Sequence, residues 1–240
     1  MPKFEPRVAA IIQARLGSKR LPGKVLKPIG PKTMLQWVID RTWLAQGVDC
    51  IVVATPDKRI ADFVDSTYSN VPIWSYWHRS GDEDDVLTRY LHAANFCGAE
   101  VIVRITADCP LIDPEIIESA MSAIGSHDIC SNVQYRTFPK GTDVEVMQYD
   151  TLLRLNRLTD SGREHVTTFI YENPGLFDHE VILQKDDVSF MDWSVDTQTD
   201  LDRVRMMYKL FNWEVVSHKE LTESLLNNGL RNTFISERTE

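Results

Sequence analysis

An α/β fold with a mostly parallel central sheet flanked by helices is what this sequence of 240 residues predicts. Three observations carry that expectation. Apolar runs alternate with amphipathic segments from the start of the chain to about residue 128. The runs that read as strands are apolar throughout rather than alternating, the pattern of parallel strands covered on both faces. No linker, internal repeat or low-complexity stretch interrupts them, so a single domain over residues 1–240 is expected, with a core at about 7–212.

The elements follow in order. Residues 7–13 (RVAAIIQ) read as a buried strand, and residues 32–46 as a helix, with Met34, Leu35, Val38, Ile39 and Thr42 at helical spacing. Residues 49–54 (DCIVVA) form a second buried strand, residues 58–68 a helix and residues 71–77 a short strand. Residues 84–97 give an amphipathic helix that ends at Gly98, a residue suited to the left-handed C-cap. Residues 100–105 (EVIVRI) are a strand, and residues 114–124 open a helix with Pro114 in its first turn. Beyond residue 128 the rhythm changes. Residues 128–134 and 142–148 read as strands around a Lys-Gly turn, residues 151–158 and 164–172 as helices, residues 181–184 and 191–195 as strands, and residues 201–211 as a closing helix. The last ten residues carry little core signal and are expected to fray.

Composition excludes several classes. The formal net charge is −9, which argues against bulk nucleic-acid binding while leaving room for a local phosphate site. Cys50, Cys97, Cys109 and Cys130 are scattered, without the spacing of a zinc site, and no signal peptide is read, which fits a reducing cytoplasm. No apolar run approaches the ~20 residues of a membrane span.

The strongest local signal is the segment from Gln13 to Lys24. It follows the first strand directly and holds Arg15, Lys19, Arg20 and Lys24 together with Gly17, Ser18 and Gly23. Open parallel sheets bind ligands at the carboxyl ends of their strands, where loop N–H groups meet phosphate oxygens and Arg and Lys supply charge. The loop is not a Walker A motif: five residues separate Gly17 from Gly23, and Val25 follows Lys24. The alternative reading is a solvated basic loop.

The stretch QARLGSKRLPGKVL (residues 13–26) resembles the N-terminal signature of the cytidylyltransferases that make CMP-activated sugars, the CMP-Kdo synthetase and acylneuraminate cytidylyltransferase group, and most of all the SpsF type of spore coat polysaccharide biosynthesis proteins. The resemblance continues through SGDEDDVLTRY (80–90), RITADCPLIDP (104–114), PKGTDVEV (139–146), REHVTTFIYENP (163–174) and WSVDTQTDL (193–201). It implies a nucleotide-diphospho-sugar transferase (GT-A-like) fold, CTP and a sugar as substrates, Mg²⁺ as cofactor, a homodimer and a cytoplasmic enzyme of polysaccharide biosynthesis. It also implies nucleotide binding by Gln13, Ala14, Arg15, Leu16, Gly17, Ser18, Arg20, Lys24, Arg104, Thr106 and Asp108, with Arg15, Lys24 and Asp108 as the catalytic residues. One departure stands out: where the Kdo enzymes place an Arg near the base, this chain has Asp84 or Asp85.

Asp108 follows the strand at 100–105, and Asp196 follows the strand expected at 191–195, so both belong on the catalytic edge of the sheet. Carboxylates there suit Mg²⁺, and the resemblance makes this pair the metal ligands. The alternative is that Asp108 begins a turn before Pro110, and that Asp196 or Thr197 caps the next helix. Asp113, just before Pro114, reads best as an N-cap, and the acidic run at residues 82–85 as helix-start carboxylates. On the acceptor side the resemblance implies Lys140, Thr142, Asp143, Glu145, Arg163, Glu164 and His165; an edge-strand surface and a capped helix are the alternative. His78, His92, His127 and His179 have no partner pattern, and Trp37, Trp43, Trp74 and Trp77 read as core or interface.

These residues predict direct displacement, with a sugar hydroxyl attacking the α-phosphate and pyrophosphate leaving. Two rival functions remain open. A metal-dependent glycosyltransferase would place its metal on a compact Asp-x-Asp, and here Asp200-Leu201-Asp202 falls inside an expected helix. A non-catalytic nucleotide-binding protein would bind CTP without releasing pyrophosphate.

Overall fold

The computed structural model describes residues 8–79, 83–159 and 162–228. Arg7 of the first expected strand, Asp82 of the acidic run at residues 82–85 and the C-terminal ten residues lie outside that range.

The strands are β1 (Val8–Gln13), β2 (Pro28–Ile29), β3 (Lys32–Thr33), β4 (Cys50–Thr55), β5 (Ile73–Trp77), β6 (Val101–Thr106), β7 (Ile129–Ser131), β8 (Glu145–Gln148) and β9 (His179–Val181). The helices are α1 (Met34–Trp43), α2 (Lys58–Thr67), α3 (Val86–Cys97), α4 (Pro114–Ala123), α5 (Tyr149–Leu158), α6 (Thr168–Glu172), α7 (Gln198–Leu210) and α8 (His218–Asn227). Among the described residues a seven-stranded sheet runs in the order β5-β4-β1-β6-β8-β7-β9. β5, β4, β1 and β6 are mutually parallel, β8 is antiparallel to β6 and β7, and β9 is parallel to β7. The mixed, mostly parallel α/β sheet of the sequence reading is therefore present.

The apolar strands have helices on both faces, as continuous hydrophobicity requires. On one face Ala10 and Ile12 of β1 join Leu35 and Val38 of α1, Ile60 of α2 and Ile117 of α4. On the other, Ala9 and Ile11 join Leu87 and Tyr90 of α3, Leu152 and Leu155 of α5, and Ile170 of α6. A third cluster packs α7 and α8 against Trp37 and Trp193, with the Trp37 and Tyr208 rings stacked at 4.1 Å.

The capping expectations for α3 and α4 hold. Asp113 accepts the Glu115 N–H at the start of α4, and Gly98 ends α3 with φ +69°, the left-handed conformation glycine takes without strain. The second half departs from the sequence reading. The two strands expected at 128–134 and 142–148 shrink to β7 and β8. The chain between them is a longer loop pinned by Asn132, whose amide donates to Thr142 O and accepts from Val144 N. The strand expected at 181–184 lies at His179–Val181 instead. Residues 191–195 form no strand: they make one bridge, Lys140 to Asp192, and bury Trp193. The helix expected at 164–172 is a 3₁₀ turn (Arg163–His165) and the short α6, broken at Val166, whose φ is +48°. Helix α8 was not anticipated, although its signal was there: Ser217 and Glu220 form a capping box, and Leu221 and Leu225 are buried.

Candidate active site

A cavity of about 700 Å³ opens at the carboxyl ends of β1 and β6, where open parallel sheets bind ligands. A second cavity, of about 690 Å³, lies at the other ends of those strands beside Val8, Glu100 and Val101. It holds none of the residues singled out in the sequence.

The loop after β1 forms one wall of the first cavity. It turns tightly: Ser18 N–H and Gly23 N–H both donate to Leu16 O, and Gly23 takes φ +65°. Leu16 N–H is held by Asp57 at 2.7 Å, and Leu21 N–H by Ser18 Oγ. Among the described residues the amides of Gly17, Lys19 and Arg20 make no intramolecular bond. They stand free on a loop that carries four cations, the composition of an anion cradle. Gly17 leaves room for the Glu83 carboxylate, whose oxygen would lie 2.4 Å from a Cβ at this position.

At the base of the loop Lys24 is buried, with 8% of its surface exposed. Its Nζ donates to Asp108 Oδ2 at 2.9 Å, Asp196 Oδ1 at 3.0 Å and Val195 O at 2.8 Å. Burial alone would lower the lysine's pKa, but the two carboxylates more than offset it and hold the value above the ordinary one. Burial likewise works against the Asp108 carboxylate, and Lys24 reverses the sign, holding Asp108 below the usual range. Arg20 pairs with the other side of Asp196 at 2.9 Å. Neither aspartate is a cap: Thr197 caps α7 in a box with Asp200, and both carboxylates reach into the cavity.

Arg15 bridges Asp84 at 2.9 Å and Glu164 at 2.7 Å, joining three distant segments at the rim. Deeper on the β6–β8 side, cross-strand register sets Arg104 opposite Glu145, and Glu145 opposite Ser131. The Arg104 guanidinium pairs with Glu145, which also accepts from Tyr171 Oη. Burial opposes the charge on Arg104, and Glu145 restores it, leaving the pKa raised. Arg136 forks onto both oxygens of Asp143, and Lys140 pairs with Asp192 at 2.9 Å.

The cavity brings together Gln13, Ala14, Arg15, Gly17, Ser18, Arg20, Lys24, Arg104, Thr106, Asp108 and Asp196 from the nucleotide side, and Lys140, Asp143, Glu164 and His165 from the acceptor side. Four expected residues do not line it. Leu16 packs inward against the core. The Thr142 hydroxyl is buried on Pro139 O, and Glu145 is buried between Arg104 and Tyr171. Arg163 is consumed by Asp85, Thr88, Asn156 and Thr159 O, clamping the 3₁₀ turn to the start of α3. Asp85 caps α3 through Thr88 N–H. Among the described residues no group of three or more Asp, Glu, His or Cys forms a metal cluster.

Sequence reasoning missed Arg89. It lines the cavity with 1% exposure, the signal being an arginine inside the apolar stripe of α3 between Val86 and Ala93. It also missed the buried pair of His218 and Asp113, which ties α8 to the start of α4.

An open, mostly parallel sheet with a basic loop and two carboxylates at its carboxyl edge defines the class of α/β proteins whose ligand cavity lies at that edge. Comparison with known proteins gives the family. The Cytidylyltransferase family model matches residues 9–232, and the chain belongs to that family; it is a nucleotidyltransferase of the nucleotide-sugar transferase fold. It is 30% identical over 209 residues to the spore coat polysaccharide biosynthesis protein SpsF of Bacillus subtilis, covering 83% of this chain and 85% of that protein. It is 39% identical over 120 residues to a 3-deoxy-manno-octulosonate cytidylyltransferase of Geobacter sulfurreducens, a match that spans 50% of this chain and 46% of the relative. A solved cytidylyltransferase from Leptospira borgpetersenii superposes with a TM-score of 0.86 at 28% identity, covering 98% of both chains. Among the described residues no helix is long and apolar enough to cross a membrane.

Proposed function

We propose that this protein couples a sugar hydroxyl to CMP: the hydroxyl oxygen bonds to the α-phosphorus of CTP, the bond from that phosphorus to the bridging oxygen breaks, and pyrophosphate leaves. The observation that carries this reading is the Lys24 ammonium held between Asp108 and Asp196 at the floor of the cavity, directly below the basic loop. The arrangement supplies positive charge for a triphosphate on one side and two hard oxygen ligands on the other.

The donor set fits Mg²⁺. That ion takes one or two carboxylates and completes its shell with phosphate oxygens and water, and two aspartates drawn onto one ammonium are already gathered for a shared cation. Bound there, Mg²⁺ would neutralise charge on the phosphates and acidify the attacking hydroxyl. The chain's own groups do the rest. The free amides of Gly17, Lys19 and Arg20, with the side chains of Ser18 and Arg20, hold the triphosphate. Arg15 and Lys24 stabilise charge that builds on the phosphates as the leaving group departs. Gln13, Ala14 and Thr106 shape the nucleoside end of the cavity.

The acceptor lies toward Lys140, Asp143, Glu164 and His165, with Arg104 beneath. An acidic, ulosonic-type sugar is the acceptor this reading assigns, its carboxylate competing with Asp192 for the half-exposed Lys140 ammonium. Support comes from the relatives, whose names specify 3-deoxy-manno-octulosonate and 8-amino-3,8-dideoxy-manno-octulosonate. Surface polysaccharide or glycoconjugate biosynthesis, a cytoplasmic location, a homodimer and one domain over residues 1–240 complete the reading. The test is a pyrophosphate-release screen with Mg²⁺, the four NTPs and a panel of acidic sugars. Release with CTP and one such sugar supports the proposal. Tight CTP binding with no release for any acceptor would favour a binding protein.

A further inference from the structure

A row of polar groups crosses four strands behind the cavity. Ile102 of β6, Met147 of β8 and Ile129 of β7 pack under α3, α5 and α6. Arg104, Glu145 and Ser131 lie two residues from them on the same strands and so share that face. Register sets Arg104 opposite Glu145, and Glu145 opposite Ser131. His179 of β9 pairs with Ile129, which places it on the same face at the edge of the sheet. Tyr171 of α6 covers the row. Its Oη donates to Glu145 and lies 3.3 Å from Ser131 Oγ, and its ring is 5.3 Å from the His179 imidazole. Ser131 Oγ stands 3.0 Å from His179 Nε2.

Counting protons fixes the direction of this chain. The Glu145 carboxylate only accepts, and both Arg104 and Tyr171 reach it. Tyr171 has one proton, and an ionised acceptor holds it more strongly than a neutral hydroxyl. Ser131 therefore donates in its contact with Tyr171. Ser131 also has one proton, so His179 Nε2–H donates to Ser131. Each member points toward the one carboxylate. Arg104 lines the cavity with 14% of its side chain exposed, whereas Glu145 is 2% exposed and Ser131 is fully buried. Apolar side chains would fill this row without desolvating two charges, so the network answers to what Arg104 does.

We infer that Tyr171, Ser131 and His179 are positioning residues: they fix Glu145, and Glu145 fixes the Arg104 guanidinium beneath the acceptor sugar. This rests on the acceptor reading of the cavity. The supporting elements carry the acceptor wall itself, since β8 follows Asp143, and α6 follows Glu164 and His165, and these three residues line the cavity. Held on one side by Glu145, the planar fork has a fixed direction from which its remaining donors address the sugar. Because Glu145 neutralises it, the guanidinium suits a sugar hydroxyl rather than a second carboxylate.

His179 is the half-buried outer end of the chain. The groups facing it are Glu145 from β8 and Tyr171 from α6, with Glu180 beside it on β9. Asp178 and Glu180 both engage His127, and Asp128 pairs with Arg154. Burial holds the His179 pKa below its ordinary value, while Glu145 and Glu180 work the other way. Glu145 thus acts on Arg104 at the cavity and on His179 at the sheet edge, and a change at one end registers at the other.

The experiment has one arm that needs no sugar. The His179 pKa is followed by NMR of its imidazole in the full chain, in Glu145→Gln and in the double variant Arg104→Met/Glu145→Gln; the resonance is assigned by its absence from His179→Gln. Removing the Glu145 charge takes away what favours the imidazolium, so the His179 pKa should fall further. The double variant leaves no unpaired buried charge and gives the reading if Glu145→Gln does not fold. An unchanged His179 pKa overturns the network. The other arm measures pyrophosphate release with Mg²⁺, CTP and 3-deoxy-manno-octulosonate, the sugar that a relative's name specifies. Tyr171→Phe should raise the KM for that sugar by about 3- to 10-fold, the effect of one lost hydrogen bond, and leave the KM for CTP unchanged. His179→Leu should do the same, and His179→Gln, whose amide N–H stands near the place of Nε2–H, should restore the wild-type value. Lower melting temperatures in Tyr171→Phe and His179→Leu with both KM values unchanged would make the network structural and overturn the proposal. An equal rise in KM for CTP and the sugar would overturn it too, as would a His179→Gln variant no better than His179→Leu. Wild type that releases no pyrophosphate with this sugar would refute the assignment of Arg104 to that acceptor, while the His179 pKa still decides whether the chain from His179 to Arg104 exists.

Discussion

Lys24 donates to Asp108 across 84 residues of chain at 2.9 Å, and this contact ties the loop after β1 to the end of β6. The same ammonium reaches Asp196, so one buried cation sets the spacing of both carboxylates. The site is thereby assembled before any substrate arrives.

Arg15 differs from Lys24 in its surroundings. Its side chain is 37% exposed and its ion pairs with Asp84 and Glu164 sit at the rim. Exposed pairs of this kind add about 0–1 kcal/mol to stability. Arg15→Ala should therefore leave the melting temperature nearly unchanged while lowering kcat/KM for CTP by about 10- to 100-fold, the effect of one lost charge-assisted phosphate contact. Pyrophosphate release measured against CTP concentration checks this. Unaltered turnover would remove Arg15 from the phosphate site.

Gly141 adopts φ +91°, and a Cβ there would lie 2.5 Å from Ser194 N and 2.6 Å from Trp193 C. Both obstacles are backbone, at the crossing where Lys140 bridges to Asp192. Gly141→Ala should cost on the order of 1–3 kcal/mol for the conformation alone, with the clash added. Because the displaced segment runs into Val195 and Asp196, activity should fall as well. Thermal melting and pyrophosphate release should both report the damage, and a melting curve like wild type would show that the crossing yields easily.

Legibility followed the range of the determining contacts. The parallel half was plain because each strand is apolar on both faces and each helix has its own periodic stripe, so local pattern and tertiary role coincide. The basic loop was plain because four cations cluster after a strand. The second half was obscure because its order depends on distant partners. Residues 191–195 are apolar enough for a strand, yet Trp193 and Val195 are buried beside α7 and α8 rather than in the sheet. Arg163 looked available for a substrate because no carboxylate partner for it shows in the sequence pattern; Asp85, 78 residues away, takes it. Helix α8 was missed because its capping box stands in a stretch whose apolar residues pack against Trp193, far back in the chain.

The contact between α8 and the body of the fold gives a pH prediction. Asp113 is 1% exposed, accepts from His218 Nδ1 at 2.8 Å and from Glu115 N–H, and also takes the His218 backbone N–H. Burial would raise its pKa, but the bonds from His218 more than reverse this, and the value lies below the ordinary one. A depressed carboxylate contributes stability above its unfolded pKa of about 3.9, and that contribution is lost as pH falls through the folded value. Wild type should therefore lose stability from this group only below about pH 4. Asp113→Asn can still cap α4, so the loss near neutral pH should reflect the charged bonds to His218, on the order of 1–3 kcal/mol. The wild-type advantage should shrink as pH drops below 4. Chemical denaturation at pH 7, 5 and 3 measures it, and a constant difference across that range would show that Asp113 does not titrate with unfolding.

The aspartate pair separates a shared-ion site from two unrelated polar residues. If Asp108 and Asp196 jointly hold Mg²⁺, Asp108→Asn and Asp196→Asn should each abolish most pyrophosphate release, and the double variant should lose little more, since residues serving one ion act as a unit. Stability should behave differently. Lys24 stands between the carboxylates, so their mutual repulsion is already relieved and each Asn removes a counter-charge from a buried ammonium. Melting temperature should fall in each single variant and further in the double, where the buried Lys24 ammonium keeps Val195 O and neutral amide oxygens as acceptors but no carboxylate. Binding of Mn²⁺ in the presence of CTP, followed by electron paramagnetic resonance, should be lost in all three. Loss of a helix cap cannot explain such a result, because Thr197 and Asp200 cap α7 without Asp196, and Asp108 caps no helix. Near-wild-type release from Asp108→Asn at saturating Mg²⁺, with Mn²⁺ still bound, would return Asp108 to the role of a partner for Lys24 and place the ion elsewhere.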